Sequence, residues 1–497
     1  FNIYAANSGI TYPYSNGIVS ITANSGTGTF LPFFNWKFQT FKSVRDEVIV
    51  TVKPNPAITT ITPNTKVRGE AGFTLTVNGT NFVNGESIIN WNGTNKTTTF
   101  VSSTQLTASI SASDIAASGT VEVKVFNTCN NFSSAATNFT ITAPTSTTWN
   151  GSSWSNGTPN SSLDAIINGN YASGTNGSFT TKSLTLNSGY TLTVNTGSSI
   201  TISDAIVNNA GAANFIVESN ANLIQTNNAV NNGLITVKRN SAPLYRFDDT
   251  LWSSPVSGQN LRNFSPATLT NRFYVYNPAS GNNGNYEAIF PAQNEGTYTF
   301  AQAKGYLIRV PDNYVSYVNS SISGVSYNGV FVGVPYNGSF SFPLSNANNG
   351  FNLVGNPYPS AISISGLFSS NSNAIDGTVW FWRKRNGVAG SGYATTTGLG
   401  ITSAQPEVAG MNPNGIISSG QGFFVKVKNG ATQSSLNFNN SIRSAGTNGV
   451  FFRNGNINSD EPEKHRIWLN LSNETDIIGQ TLLGYMAGAT ENVDYGI

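Results

Sequence analysis

Two tryptophans beside a basic tripeptide form the run whose residue types most directly suggest ligand binding. Residues 379–385 read V-W-F-W-R-K-R. Aromatic faces next to cationic donors can stack on sugar rings or hold an acidic polysaccharide. The alternative is structural, with the first and third residues of the run pointing inward from a strand and the two tryptophans covering its other face. The candidate ligand-binding residues are Trp380, Trp382, Arg383 and Arg385.

Residues for nucleophilic or acid–base catalysis are scarce. The only histidine, His465, lies in the charged run 460–466, which we interpret as a solvated linker. A single histidine argues against a His-based zinc site, and without a nucleophile motif it also argues against a Ser-His-Asp or Cys-His triad. The only cysteine, Cys129, cannot form an internal disulfide, and its neighbours in sequence are not the cations that activate a thiol. We interpret it as a small loop residue.

Paired carboxylates are the catalytic arrangement that the sequence leaves open. Glycoside cleavage needs two acids about 5–9 Å apart, and a sequence does not give that distance. We interpret each acid as a turn or strand-end residue and predict no enzyme activity, with a carboxylate-based glycosidase as the alternative. No Asp-x-Asp-x-Asp-Gly loop occurs, so no metal or cofactor is predicted, although carbonyl-rich loops could hold structural calcium. The acids considered are Asp248, Asp249, Glu287, Glu295, Asp312 and Asp376.

The composition excludes several classes of partner. Charged residues make up 10% of the 497 residues, against about 25% in ordinary globular proteins, while aromatics at 11% still suffice for packed cores. A net charge of +2 gives no general field to attract nucleic acid or anionic lipid. No apolar run approaches the roughly 20 residues of a membrane-spanning helix. A polar, uncharged and turn-rich chain of this length is typical of several β-sandwiches in series.

The candidate tryptophans lie in a segment of sequence that is duplicated within the chain. Each block is a short β-branched or aromatic run bounded by Gly, Pro or Asn, which indicates a strand. The offsets between the copies are 102, 106 and 117 residues, and such a drift is expected when loops differ in length between fixed strands. We predict a duplicated antiparallel β-sandwich over 241–430, with copies at about 245–345 and 346–430. Blocks 251–255, 273–276 and 304–310 recur as 353–357, 379–382 and 421–427.

A different period precedes the duplicated unit. Between 163 and 240, apolar residues recur every eight positions, and Asn and Gly separate the runs. This regularity predicts a small β-solenoid or an eight-residue meander, of which we favour the solenoid. Residues 143–162 read as a linker. The series are Leu184, Leu192 and Ile200; Leu186, Val194 and Ile202; and Val207, Phe215 and Leu223.

Residues 57–142 carry the motifs of a known domain. About seven short alternating runs with Asn-Gly turns predict an immunoglobulin-like sandwich. The segment opens with PAITTITP at 56–63 and continues with Gly72 and with LTVNGTNF at 75–82. These motifs resemble the IPT/TIG family. The resemblance implies an immunoglobulin-like fold that serves as a spacer or a binding module.

The two ends of the chain read as parts of further modules. Residues 1–54 are predicted to be the C-terminal part of an immunoglobulin-like sandwich that begins outside this chain. Residues 431–464 read as a connector rich in Ser, Asn and Gly. Residues 465–497 hold the start of a further sandwich, and two or three strands do not close one, so we expect the native chain to continue.

Several segments resemble large surface proteins exported by the type IX secretion system of gliding bacteria. In that class such blocks precede a C-terminal sorting domain, which these residues do not include. The resemblance implies adhesins, some of them moved during gliding, or polysaccharide-degrading enzymes. It also implies O-glycans at Asp-Ser/Thr-aliphatic sites, which Asp249-Thr250-Leu251 matches, so Thr250 is a candidate for glycosylation. The segments are TTWNGSSWSNGTP at 147–159, GFNLVGNPYPSAI at 350–362, SSGQGFFVKV at 418–427, HRIWLNLSN at 465–473 and GATENVDYGI at 488–497.

Together these features predict a non-catalytic adhesin or stalk protein at the bacterial cell surface. The expected partners are the outer-membrane type IX translocon during export and a polysaccharide or other surface ligand. Neither nucleic acid nor a membrane span is expected. The alternatives are the non-catalytic part of a secreted polysaccharide-active enzyme and a purely structural spacer without a ligand.

Overall fold

The computed structural model describes residues 14–15, 20–21, 54–128, 132–293, 296–319, 321–382, 393–397, 400–402, 415–446, 465–472 and 477–485. Two compact units are found. The first contains most of residues 54–139, and the second contains the chain from 140 onward together with Thr65–Gly72 and Ser111–Gly119. Strands dominate the described residues, as the predicted all-β fold class requires. Of the immunoglobulin-like part predicted for 1–54, only the pair β1 (Tyr14–Ser15) and β2 (Ser20–Ile21) lies within them.

Residues 57–142 form an immunoglobulin-like sandwich of two sheets. One sheet has the order β3-β5-β9-β8 and the other β4-β12-β10-β6-β7, with β11 beside β10. The alternation of the sequence puts one face of each strand inside, where Leu75, Val123 and Phe139 are fully buried. The strands are β3 Ala57–Thr62, β4 Thr65–Val67, β5 Phe73–Thr80, β6 Ser87–Trp91, β7 Thr94–Asn95, β8 Thr98–Ser102, β9 Gln105–Ile110, β10 Gly119–Asn127, β11 Phe132–Ser133 and β12 Thr137–Thr142, with a 3₁₀ turn at Ala112–Ile115.

The second unit begins with a three-sided parallel β-solenoid. Its sheets have the orders β13-β14-β17-β20, β15-β18-β21-β23 and β16-β19-β22, and all of these pairs are parallel. The strands are β13 Ser146–Trp149, β14 Asp164–Ile167, β15 Tyr171–Ala172, β16 Phe179–Thr181, β17 Leu184–Leu186, β18 Leu192–Val194, β19 Ser199–Ile202, β20 Ile206–Asn208, β21 Phe215–Val217, β22 Asn222–Gln225 and β23 Ile235–Leu244, with the short helix α1 Ser173–Asn176 and a 3₁₀ turn at Ala212–Asn214.

The eight-residue period is the step from one side of the solenoid to the next. Leu184, Leu192 and Ile200 are fully buried on three successive sides. Along one side, Ile200 lies beside Leu223, one turn of 23 residues later. This arrangement confirms the solenoid and rules out the meander. One position is corrected, because Val207 is partly exposed and its neighbour Ile206 faces inward beside Leu184.

The duplicated unit follows, and its two halves share one strand order. The first copy forms the sheet β24-β27-β25-β26 and the second forms β30-β36-β32-β33-β34. The first copy contains β24 Asp249–Trp252, α2 Leu261–Phe264, β25 Phe273–Asn277, β26 Asn285–Ile289, β27 Tyr306–Arg309 and β28 Val325–Gly333, with 3₁₀ turns at Thr270–Arg272 and Gly296–Tyr298. The second contains β29 Phe340–Pro343, β30 Phe351–Gly355, β31 Ala361–Ser363, α3 Ile364–Ser370, β32 Ile375–Trp382, β33 Tyr393–Thr397, β34 Gly400–Thr402, β35 Ile416–Ile417, β36 Gly422–Val427, β37 Ser435–Phe438 and β38 Arg443–Ser444, with a 3₁₀ turn at Asn440–Ile442.

Reciprocal contacts join the two copies about a pseudo-twofold axis. The Ser253 amide donates to Gly420 O at 3.0 Å, and the equivalent Gly355 amide donates to Ala303 O at 2.9 Å. Backbone bridges link Trp252 with Gln421 and, equivalently, Val354 with Lys304. Gly305 lies against Leu353, just as the equivalent Gly422 lies against Leu251. Such reciprocity is what an isologous interface between two identical units produces.

Each copy of the predicted duplicated sandwich therefore supplies one sheet, and the two sheets form one shared sandwich. The inner faces of the two sheets meet in an apolar layer. The outer face of the first sheet packs on the solenoid core through residues such as Trp252 and Phe273. The outer face of the second sheet packs on α3 and the small sheets around it, where Val379 and Phe381 are buried.

Three further predictions are corrected in the described residues. The expected linker 143–162 contains β13, whose Trp149 packs on Trp154 with ring centroids 5.5 Å apart. The expected connector 431–464 contains β37 and β38, which belong to the second copy. His465, interpreted as a linker residue, begins β39 (His465–Ser472), which pairs with β40 (Ile477–Tyr485). The rest of the sandwich predicted for 465–497 lies outside the described residues, as does Cys129.

Candidate functional site

An aromatic layer fills the space between the two sheets of the duplicated unit. Its innermost residues come from equivalent positions, because Leu307 lies between Leu251 and Tyr274 in the first sheet as Phe424 lies between Leu353 and Trp380 in the second. Aromatic rings in such layers prefer edge-to-face contacts. The layer comprises Leu251, Leu307, Leu353 and Phe424, with Tyr274, Tyr276, Tyr286, Phe351, Trp380, Trp382 and Tyr393 packed around them.

At one end the aromatic layer opens into a cleft of about 420 Å³. Its volume lies in the usual range for small-molecule sites, about 300–1,000 Å³. Both copies contribute to its walls, so the cleft exists only because the two sheets face each other. The lining residues are Tyr276, Asn283, Gly284, Asn285, Tyr286, Phe351, Trp380, Tyr393 and Phe424.

The structure separates the two candidate tryptophans. Trp380 lines the cleft, with its ring edge-to-face against Phe351 at a centroid distance of 5.0 Å. Trp382 lies outside the cleft, where its indole Nε1 donates to the Asp249 carbonyl at 2.9 Å. Val379 and Phe381 are buried on the opposite face of the strand. Of the two tryptophans, Trp380 lines the cleft and Trp382 does not. Arg383 and Arg385 lie outside the described residues.

Polar groups reach the cleft from both sheets. The hydroxyls of Tyr286 and Tyr393 face each other at 3.3 Å. These two tyrosines occupy equivalent positions, because Tyr286 pairs with Tyr276 as Tyr393 pairs with Trp382. Their hydroxyls therefore meet close to the pseudo-twofold axis. The amides of Asn283 and Asn285 add exposed donors and acceptors at the rim.

Asparagines of the second copy hold the rim in place. The Nδ2 of Asn348 donates to the carbonyls of Pro278 and Gly281 at 2.8 and 3.1 Å. Asn349 Nδ2 donates to Asn283 Oδ1 at 2.7 Å. Asn348 has a φ of 53°, a conformation that asparagine tolerates better than most residues. Three hydrogen bonds therefore fix the loop that carries Asn283 and order the cleft before any ligand arrives.

The two ends of the sandwich differ in charge. In the first copy Asp249 pairs with Arg309, with 3.3 Å between Oδ1 and Nε. At the equivalent cross-strand position of the second copy, Phe351 lies opposite Lys426, whose Nζ is 5.6 Å from the ring centroid. The second copy thus has a cation–π contact where the first copy has an ion pair, and the Phe351 ring lines the cleft.

Burial keeps the phenols of the cleft protonated. Loss of solvent raises the pKa of Tyr276, Tyr286 and Tyr393 above the ordinary value, and for Tyr286 the nearby Tyr393 raises the pKa further. A phenol that stays neutral can both donate and accept a hydrogen bond. The Tyr286–Tyr393 pair therefore remains a neutral polar contact throughout the physiological pH range.

We expect the free energy of unfolding to fall as the pH rises above about 10. The folded protein raises the pKa values of these tyrosines, so their neutral forms stabilise the fold fully at any pH below the unfolded-state pKa. This contribution to stability is lost as the pH rises towards the folded-state pKa. Each tyrosine held neutral contributes a slope of about 1.4 kcal/mol per pH unit. Urea unfolding between pH 8 and 11.5 measures the slope. The Tyr286→Phe/Tyr393→Phe variant should show a shallower decline, and a decline identical to that of the parent contradicts the assignment.

The candidate acids have structural partners, and none of the described ones lines the cleft. Asp248 Oδ2 accepts from the Tyr245 amide at 2.7 Å, and Asp312 binds Arg246 through both oxygens. Glu287 accepts a hydrogen bond from Asn277 Nδ2, and Asp376 accepts one from the Thr378 amide. Glu295 lies outside the described residues.

Three further observations bear on candidate sites. Thr250 is 8% exposed within β24, so a glycosyltransferase could reach it only before this strand folds, and its modification stays a prediction. Within the described residues, no group of three or more His, Cys, Asp or Glu side chains is placed to hold a metal ion. None of the described helices has the length and apolarity that a membrane crossing needs.

Most of the cleft was missed from the sequence. Tyr276 and Phe424 belong to the repeated blocks, but their shared face is visible only once the strand register is known. Tyr286 and Tyr393 lie 10 and 11 residues after Tyr276 and Trp382. This recurrence of a tyrosine at nearly the same spacing in both copies is the signal that could have identified the pair.

Family models match both units of the chain. A model described as a domain of unknown function, DUF8693, matches residues 140–497, more than two thirds of the chain. The chain belongs to the DUF8693 family. Its DUF8693 region holds the solenoid, the duplicated sandwich and the cleft, and it is preceded by an IPT/TIG domain at 56–141. No curated protein matches the chain.

Proposed function

We propose that this protein is a non-catalytic, polysaccharide-binding adhesin or stalk at a bacterial cell surface. The aromatic cleft between the duplicated sheets is the observation that carries the proposal. Sugar rings present C–H groups with slight positive charge, which favour the negative faces of aromatic rings. Six aromatic side chains line the cleft, and the exposed amides of Asn283 and Asn285 can bind sugar hydroxyls.

A non-catalytic role is supported by the chemistry of the cleft walls. Glycoside cleavage requires an acid and a second carboxylate on either side of the scissile bond. The described lining residues are aromatic rings, amides and a glycine. These groups can bind and orient a sugar, and none of the described lining residues is a carboxylic acid.

Export and location are proposed from the resemblance of the quoted segments to type IX cargo. On this proposal the chain passes through the outer-membrane translocon, stays at the cell surface and contributes to adhesion and gliding. Protease treatment of intact cells tests the location. The protein should be cleaved on cells of a parent strain and protected in a strain that lacks the translocon. Equal cleavage in both strains contradicts export by this route.

We expect the purified protein to be retained by at least one polysaccharide without cutting it. The protein is incubated with a panel of insoluble or gel-embedded polysaccharides, and bound protein and new reducing ends are scored in the same tubes. Retention without new reducing ends agrees with the proposal. New reducing ends contradict a non-catalytic role. If neither is observed, the chain is a spacer or binds another kind of molecule.

A further inference from the structure

The described residues that line the cleft include no charged side chain. The described lining residues are Tyr, Trp, Phe, Asn and Gly, and burial holds the three tyrosines in their neutral form. Among the described residues, the cation Lys426 packs over Phe351 but is not a lining residue. A ligand in the cleft therefore meets rings, hydroxyls and amides.

A negatively charged sugar would lose water in this cleft without gaining a counterion from the described lining residues. Burying an unpaired carboxylate costs several kcal/mol, even after the surroundings relax. The equivalent end of the first copy contains the ion pair Asp249–Arg309. At the cleft, the position in the second copy that corresponds to Asp249 is Phe351. The end that opens thus has an aromatic ring at the position where the other end has a carboxylate.

The hydroxyl pair at the pseudo-twofold axis suits an uncharged partner. The Tyr286–Tyr393 separation of 3.3 Å is longer than the usual 2.5–3.0 Å of an O–H···O bond. A sugar hydroxyl can replace this weak contact with two shorter ones, since each phenol can donate or accept. Trp380, at the same cleft, offers a ring face for stacking.

We infer that the cleft selects an uncharged pyranose residue and rejects the corresponding uronic acid, with Trp380 as the stacking platform and the Tyr286–Tyr393 hydroxyls as the polar contact. This inference rests on the proposed function and specifies its ligand class. Of the two sugar classes that the aromatic and basic run 379–385 left open, it favours the uncharged one.

Matched pairs of oligosaccharides that differ only at C6 test the inference. Fragments of polygalacturonate, polyglucuronate and polymannuronate are each compared with the neutral oligosaccharides obtained from them by carboxyl reduction, by calorimetry at 0.05 and 0.5 M NaCl. In the recognised pair the neutral member should bind at least about tenfold more tightly, equal to about 1.4 kcal/mol. Its affinity should change less than about twofold with salt, because no ion pair forms.

The outcomes separate the inference from the proposed function. If an acidic oligosaccharide binds the parent protein or the Trp380→Ala variant as tightly as its neutral partner does, the inference is wrong. Polysaccharide binding, the proposed function, would still stand. Absence of binding to every member overturns both.

A charge introduced at the rim provides a second measurement. Asn285 is exposed, and Asn285→Lys leaves the Asn348 and Asn349 hydrogen bonds intact. This variant should reduce the preference for the neutral member about tenfold by supplying a counterion, and the ratio of the two affinities is the measurement, since loss of the Asn285 amide also weakens binding of the neutral member. An unchanged preference contradicts a site at this cleft.

Discussion

Replacement of Trp380 by alanine should lower the affinity for the recognised polysaccharide about 10- to 100-fold. A buried aromatic anchor at the centre of a site typically contributes about 1.4–2.7 kcal/mol, which corresponds to that range. Trp380 lines the cleft and packs edge-to-face on Phe351, so its removal takes away a stacking face and loosens a neighbouring wall. Affinity electrophoresis or calorimetry with the retained polysaccharide measures the loss.

The duplication supplies a matched control for this variant. Tyr274 occupies the equivalent position in the first copy and packs in the same aromatic layer, but it does not line the cleft. Tyr274→Ala should therefore cost comparable stability and change affinity less than about threefold. Trp382→Ala should behave like the control. If Tyr274→Ala and Trp380→Ala weaken binding equally, the effect comes from general loosening of the sandwich and the cleft is not the site.

The Gly355→Ala substitution should lower the free energy of unfolding by about 1–3 kcal/mol, the usual cost of overpacking. A Cβ at this position would lie 2.1 Å from Ser253 Cβ and 2.3 Å from its Oγ. Ser253 is fully buried beside the pseudo-twofold axis and cannot move aside. The two sheets would have to separate, so polysaccharide affinity should fall together with stability. Urea unfolding and the retention assay measure the two effects.

The equivalent residue on the other side of the axis allows a rescue. Ser253 and Gly355 occupy matching positions in the two copies, and the Cβ of one fills the space beside the other. The double variant Ser253→Gly/Gly355→Ala removes the Cβ from position 253 and adds one at position 355. More than half of the stability lost in Gly355→Ala should therefore return. A double variant as unstable as the sum of the two single ones would show that this close contact does not limit the approach of the sheets.

The sequence predicted the local elements well because they depend on local patterns. The repeated blocks identified β24, β25 and β27 with their equivalents, and the eight-residue period identified the solenoid, since both follow from alternation within a few residues. The motif at 75–82 identified the IPT/TIG domain. What could not be predicted is how the two copies combine, because a sheet with one apolar face can pack on its partner copy or on a sheet of its own.

The candidate site shows the same limit. Trp380 and Trp382 have the same local sequence character, and only the contact with the first copy distinguishes them. Trp382 donates a hydrogen bond to the Asp249 carbonyl, and Trp380 lines an open cleft. Tyr286 and Tyr393 lie 107 residues apart in the chain, and their hydroxyls meet only through the reciprocal packing of the copies.

The reciprocal contacts also have a historical consequence. A single copy leaves its aromatic face uncovered, so before the duplication two identical chains would have paired through these same contacts. Such a dimer carries two equal clefts, one at each end. Fusion into one chain allowed the halves to diverge: Asp249, paired with Arg309, now stands where its counterpart is Phe351, and Trp382 donates to its carbonyl. The fused chain has one aromatic end, so on the proposed function firm binding to a long polymer would require many copies of the protein side by side.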